Sequence, residues 1–362
     1  ELFVDNDVTE ALKQAISDID VGGEIVFNNA RTHIISQTIS IAKPVTINFN
    51  NATIEIRVGG SHVFELLHVG SEDFRQRIKL INYNFTVNPA FVPSKIIYIN
   101  GAINSLLKGT FDMGCKCSHS MIHNYKGYGT KIFGESRYVQ APRVIYLSHS
   151  NEDIHSFDFF IDMDITGNSV GGGVEAEGGA GEIHGVIEDC KFGYFYNGLA
   201  ISVGVSISVH FEANHDYDMQ IGTDSDNAGG TKNTGLTTII GSYFSTNQAP
   251  EKSIIFGRYQ IINVFHSWLS KPLVPLSFET TSDTNISVFG GRTSGNNRPV
   301  TEEHTGRRNI WLTCVTPWNV ELNSPNVTGD MSVSGKLTLG EGLWGNRINY
   351  PPDQSFSIYE QG

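Results

Sequence analysis

Three stretches of this chain align on a terminal phenylalanine: GVIEDCKF at 185–192, GVSISVHF at 204–211 and GLTTIIGSYF at 235–244. Each Phe is followed shortly by an Asn (Asn197, Asn214, Asn247), and Trp268 and Phe289 extend the series. Most of the intervals fall in the range of roughly 20–25 residues that one solenoid coil occupies. The long interval from Phe211 to Phe244 holds the polar run 223–235, which reads as an inserted loop. A coil of this length cannot bury its apolar residues alone. Stacking makes a continuous core, with strands about 4.8 Å apart. Phe192, Phe211 and Phe244 are then expected to form an inward ladder. Asn at the turns tolerates left-handed geometry and can bond the next coil.

The rest of the chain agrees with that spacing. β-rich runs broken by Gly, Asn, Pro or Ser occur at 24–27, 32–41, 45–56, 62–69, 78–87, 95–100 and 143–148. They continue through 157–165, 183–195, 201–212, 237–244, 254–268, 286–289 and 309–315. Helical patterns do not alternate with these runs, which excludes a doubly wound α/β fold. A β-propeller needs a longer period, of about 40–50 residues. The one helical pattern is N-terminal: Val8, Ala11, Leu12, Ala15, Ile16 and Ile19 form an apolar stripe. Asp7 and Glu10 resemble a capping box, and Gly22–Gly23 ends the segment. Such a helix is suited to cover the open edge of a first coil. The expected organisation is a capping helix in 1–23, a parallel β-helix of about a dozen coils in 24–320, and a small β-rich region for capping and trimerisation in 321–362.

Composition removes other classes. With 39% hydrophobic and 10% aromatic residues, the chain is too apolar for disorder. It has no apolar run long enough to cross a membrane as a helix. Its net charge of −13, without a Lys/Arg cluster, argues against nucleic acid. The four cysteines show no zinc or disulfide spacing and read as buried small hydrophobes. Asp224 and Asp226 fail the calcium-loop pattern, and the histidines His119, His123, His149 and His155 lack metal-ligand spacing. Neither a metal nor a cofactor is expected.

Alternation identifies the outward side chains. In 159–165 the apolar residues Phe159, Ile161, Met163 and Ile165 point inward, so Asp162 and Asp164 point out. In 207–211 the same rule turns Ser208, His210 and Glu212 outward. Aligning Phe192 on Phe211 puts Asp189 beside Ser208 and Lys191 beside His210. The acidic residues also concentrate between 158 and 226. Glycoside hydrolysis needs two carboxyls, about 5–5.5 Å apart for retention or 6.5–9.5 Å for inversion. Glu212 paired with Asp189 or Asp164 is the expected catalytic set. Asp162, Lys191 and His210 are expected to bind substrate, with Tyr196, Tyr243 and Trp268 stacking on sugar faces. The glycine-rich stretch 167–181 reads as a flexible flap carrying Glu175 and Glu177.

A family resemblance adds to this reading. DNDVTEALKQAI at 5–16, GGEIVF at 22–27, THII at 32–35 and VTINF at 45–49 resemble the opening of the pectate-lyase-like superfamily. There a capping helix leads into a right-handed parallel β-helix. VHFEAN at 209–214 resembles a coil of bacteriophage tailspikes, and VTGDMSVSGKLTL at 327–339 resembles repeats of phage fibres. The resemblance implies a homotrimeric tailspike on the virion, outside the cell. It would be joined to the tail or baseplate through a region N-terminal to Glu1, and would bind or cut bacterial capsule or O-antigen polysaccharide. The motifs of pectin hydrolases and pectate lyases are missing, so the resemblance carries over no catalytic residue. Three activities stay open: endo-hydrolysis by paired carboxylates, β-elimination using His210, Lys191 and Tyr243, or glycan binding alone.

Overall fold

The computed structural model describes residues 6–67, 77–148, 158–197, 202–222, 235–245, 252–256, 260–265, 268–269, 274–278, 284–289, 292–293 and 308–313. The chain divides into two units, Glu1–Asn323 and Ser324–Gly362, and the described residues all lie in the first. The expected region 321–362, the inserted loop beyond Gly222, Asn247 and Cys314 therefore fall outside them.

The first unit is all-β with mostly parallel strands, a β-solenoid of about eight turns with one short helix. Two long parallel sheets carry it, seventeen-stranded sheet A and ten-stranded sheet B. Within one turn the chain passes from a strand of one sheet to a strand of the other. In sheet B, Ser120–Tyr125 lies between Lys95–Asn100 and Arg143–Ser148. In sheet A, Asp158–Thr166, Gly179–Glu188 and Ser202–Glu212 are successive neighbours. The turns number fewer than the expected dozen because some are long. Phe64 pairs with Ile97 and Met219 with Ile254, so single turns there consume 33 and 35 residues.

The interior is one continuous apolar stack running from Leu12 to Val264. The alternation holds where it was read: Phe159, Ile161, Met163, Ile165, Ile207, Val209 and Phe211 are buried. Cys115, Cys117 and Cys190 are buried free thiols. The helix Thr9–Asp18 sets Leu12 and Ile16 into the same core, with Val8 and Ile19 packed against it. Asp7 Oδ1 accepts the Thr9 amide at 2.9 Å, while Glu10 pairs with Lys13, so the reciprocal half of the capping box is replaced by an ion pair. The helix ends at Asp18 as the backbone of Ile19 becomes extended, before the glycines are reached.

Buried asparagines tie turn to turn. Asn214 Oδ1 accepts from the Cys190 amide and its Nδ2 donates to the Ile187 carbonyl. Asn168 makes the equivalent pair of bonds to the amide and carbonyl of Ala141. These bonds satisfy backbone groups where the sheets stop.

Two sequence readings are corrected. Ile187, rather than Phe192, sits beside Phe211. A corner at Asp189 (φ 50°) ends the sheet A strand, so Phe192 opens a strand of sheet B. The Phe211–Phe244 step is as expected, with rings stacked 5.1 Å apart. The glycine-rich stretch 167–181 contains the strand Gly172–Ala176 and the start of Gly179–Glu188 rather than a flap. Its glycines answer to packing: a Cβ on Gly172 would lie 2.0 Å from the Phe192 ring, and one on Gly171 would lie 2.0 Å from the Ala141 carbonyl oxygen.

Phe211→Ala removes a ring from the fully enclosed ladder and is expected to destabilise the protein by about 3–5 kcal/mol in denaturant unfolding. A loss under about 1 kcal/mol would contradict a filled core at this turn.

Candidate functional site

The outward positions of sheet A form straight rows, because each turn pairs in register with the next. One row reads Thr166, Glu188, Glu212. The row beside it reads Glu135, Asp164, Val186, His210, Tyr243. A third reads Phe133, Asp162, His184, Ser208. Neighbouring rungs of a parallel sheet are about 4.8 Å apart. Glu188 and Glu212 thus stand side by side, as do Glu135 and Asp164.

Each carboxylate of the Glu188/Glu212 pair has its own orienting partner. The Thr166 hydroxyl donates to Glu188 Oε1 at 3.0 Å. His210 Nε2 lies 3.0 Å from Glu212 Oε2. The His210 ring meets Tyr243 edge-on at 4.7 Å. Both members of the His210–Glu212 pair keep solvent access, with side chains 40% and 31% exposed. Phe133, Phe160 and His184 form a run of rings on the same outer face, at centroid distances of 5.5 and 5.3 Å.

Glu212, His210, Asp162, Asp164 and Tyr243 lie on this face as expected. Trp268 lies in register with Tyr243, and its side chain is outside the described residues. Asp189 leaves the row at the corner after Glu188, and its Oδ1 meets His215 Nε2 at 3.1 Å. Lys191 follows in the same turn, its Nζ 3.9 Å from Asp216. The expected pairs Asp189–Ser208 and Lys191–His210 do not form, because the corner falls before both residues. Tyr196 is 1% exposed and belongs to the core, beside Ala176 and Ile221 in register. Glu188 stands next to Glu212, for which Asp189 or Asp164 had been the expected partner.

Glu175 lies in the sheet B strand Gly172–Ala176 and Glu177 just past its end. Arg143 Nε donates to Glu175 Oε2 at 2.6 Å, and the Tyr146 hydroxyl donates to Glu177 Oε1. They border a cluster of rings that the sequence analysis did not single out: Tyr98, His123 and Tyr146 on three successive rungs, with His119 and Tyr125 beside them. The signal was present. KIIYIN at 95–100, SMIHNY at 120–125 and RVIYLS at 143–148 each carry a polar ring at the fourth position. Burial first, then the Arg143 and Lys95 charges, lowers His119 to about 4. Burial, Lys95, His119 and Arg143 lower His123 to about 3. Burial and the bond to Glu177 raise the Tyr146 phenol above its ordinary value.

Among the described residues, no group of three or more His, Cys, Asp or Glu side chains could hold a metal ion, and no helix is long and apolar enough to cross a membrane. No protein-family model matches the chain, no curated protein matches its sequence, and no solved structure matches its fold.

The depressed histidines have a pH consequence. Folded His119 and His123 stay neutral where unfolded histidine, near 6.5, takes up protons. Their contribution to stability is complete above pH 6.5 and declines as pH falls toward about 4 and then about 3. The melting temperature is expected to drop over that window, and less so in His119→Asn/His123→Asn. Equal slopes in the two proteins would contradict buried, neutral imidazoles.

Proposed function

We propose that this chain is a phage-tailspike-type depolymerase that binds a bacterial capsule or O-antigen polysaccharide and cleaves it by endo-hydrolysis. The observation that carries this reading is the Glu188/Glu212 pair on adjacent rungs, each carboxylate oriented by a separate partner. A rung spacing of about 4.8 Å suits the short carboxyl separation of retaining glycosidases, about 5–5.5 Å. Glu212, beside His210, would be the nucleophile or base, and Glu188 the acid. Asp162 and Asp164, on the preceding rung, would meet sugar hydroxyls, and the Phe133–Phe160–His184 run offers rings for stacking. An endo-acting enzyme needs an open, extended face, and a solenoid supplies one along its axis.

The same reading includes a right-handed winding, the N-terminal helix as cap of the first coil, a homotrimeric assembly and a place on the extracellular virion tail. Its support is the resemblance in 5–49 and 209–214 together with a parallel solenoid.

β-Elimination is the second reading, favoured by the contact of His210 with Tyr243, which brings two proton-transfer groups together. Lys191, turned toward Asp216, does not supply the cation that reading needs.

Incubation with a panel of capsule and O-antigen polysaccharides is expected to release new reducing ends. Glu188→Gln and Glu212→Gln should each lower the rate by about a hundredfold or more. Asp189→Asn should leave it nearly unchanged. An ultraviolet-absorbing unsaturated product that persists in Glu188→Gln and disappears in His210→Gln would replace hydrolysis with elimination. Binding without any new ends would leave an adhesin.

A further inference from the structure

The rings on sheet B form a surface that the hydrolytic reading does not use. One outward row runs Glu65, Tyr98, His123, Tyr146, Glu175, Phe195. Its central rings are packed on one another: Tyr98 to His123 at 5.2 Å and His123 to Tyr146 at 4.8 Å. His119 stacks on His123 at 5.0 Å and meets Tyr146 at 5.3 Å, and Tyr125 closes the other side at 6.4 Å from Tyr98. Tyr98, Tyr146, His119 and Tyr125 remain partly exposed, so the packed rings reach solvent.

Polar groups rim these rings in a balanced way. Lys95 Nζ lies 4.2 Å above the Tyr98 ring and the Arg143 guanidinium 4.3 Å above the Tyr146 ring. Glu65 is bonded to Ser40 and Asn100, and Glu175 to Arg143 and Asn197. Glu177 accepts from Tyr146. Lys126 Nζ lies 5.4 Å above the Tyr125 ring, so the rim holds three carboxylates against three cations, and His119 and His123 add no charge at neutral pH. Lys95 and Arg143 stand two rungs apart through Ser120, about 10 Å along the axis.

One buried group beneath these rings is left unsatisfied. His123 is 7% exposed, its Nε2 is bonded to Ser148 Oγ at 2.6 Å, and its Nδ1 is buried with no hydrogen-bond partner. A buried ring nitrogen left unpaired is costly and is normally satisfied by protein, water or ligand.

We propose that the sheet B face around Tyr98, His123 and Tyr146 is a second saccharide-binding site, separate from the carboxylate rows, for a neutral hydroxyl-rich glycan chain lying along the solenoid axis. Exposed ring faces and edges cover the apolar C–H surface of a pyranose. Carboxylates, amides and cations at the rim supply both acceptors and donors for its hydroxyls. The rim offers a polyanion no excess of positive charge, since cations and carboxylates are equal in number and Arg143 is already engaged by Glu175. The distance of about 10 Å between Lys95 and Arg143 spans roughly two sugar units of an extended chain rather than one compact small molecule. A chain held here would keep the protein on its polymer between cleavage events at the other sheet.

The test uses the full chain with Glu188→Gln and Glu212→Gln, so that bound sugar is not consumed. The probes are neutral hexasaccharides (gluco-, manno-, galacto- and xylo-configured) and acidic hexagalacturonate, followed by isothermal calorimetry. Saturable binding of at least one neutral probe is expected, with hexagalacturonate at least about tenfold weaker. Tyr98→Ala and Tyr146→Ala should each weaken binding by about tenfold or more. Tyr98→Phe and Tyr146→Phe, which keep the ring, should stay within about threefold. Circular dichroism and elution volume serve as folding and assembly controls. The proposal is overturned if no neutral probe binds, if hexagalacturonate binds as well, or if both Ala variants bind normally. It also falls if the Ala variants change oligomeric state, since the face would then hold another copy of the chain. Failure of the hydrolytic reading would appear separately, as wild-type protein that binds without releasing reducing ends.

Discussion

The in-register backbone ladder between turns is the constraint on which everything else in the described structure rests. Each strand satisfies its amides and carbonyls on the turn before and the turn after, so no rung can slip without displacing every side chain to the opposite face. The ladder tolerates little at its closest approaches. Gly134 runs so close to Gly109 that a Cβ would lie 1.8 Å from the Gly109 carbonyl oxygen. The buried Asn168 and Asn214 continue the same bonding around corners where the sheets stop.

From that ladder follows the chemistry of the two faces. In-register stacking places like positions beside like positions, and the outcome depends on which residues occupy them. On sheet A it brings Glu188 beside Glu212, two carboxylates whose oxygens each need a neighbour to bond them. Thr166 and His210 fill that role. On sheet B it brings Tyr98, His123 and Tyr146 together, and the enclosed imidazoles lose their affinity for protons. One scaffold thus offers a row of solvated carboxylates and a half-buried row of rings.

Legibility followed the range of the interaction. Alternation is local, and it correctly turned Asp162, Asp164, His210 and Glu212 outward. The helix stripe is local too, and Leu12 and Ile16 pack as it indicated. Cys115, Cys117 and Cys190 are buried as expected. Three misreadings crossed a corner. The turn at Asp189 carried Asp189, Lys191 and Phe192 out of the sheet to which the Phe-to-Phe alignment had assigned them. Tyr196 was expected to stack on sugar from its nearness in sequence to the outward residues, and its side chain lies in the core. The glycines of 171–173 were taken for flexibility, although the Phe192 ring and the Ala141 and Pro142 carbonyl oxygens leave no room for a Cβ there.

Sequence alone determined the class of structure: a chain of short β runs at a near-regular interval, with one amphipathic helix and apolar residues on alternate positions, can bury them only by stacking turn on turn. It also determined which side of the strands at 158–166 and 202–212 faces water, because that depends on residues two apart. The tertiary structure decided which outward residue stands beside which. Turn lengths vary, and a corner formed by one residue in a left-handed conformation shifts every later pairing. The placement of Glu188 beside Glu212, and of His123 between two tyrosines, depends on those corners. Local periodicity has no term for them.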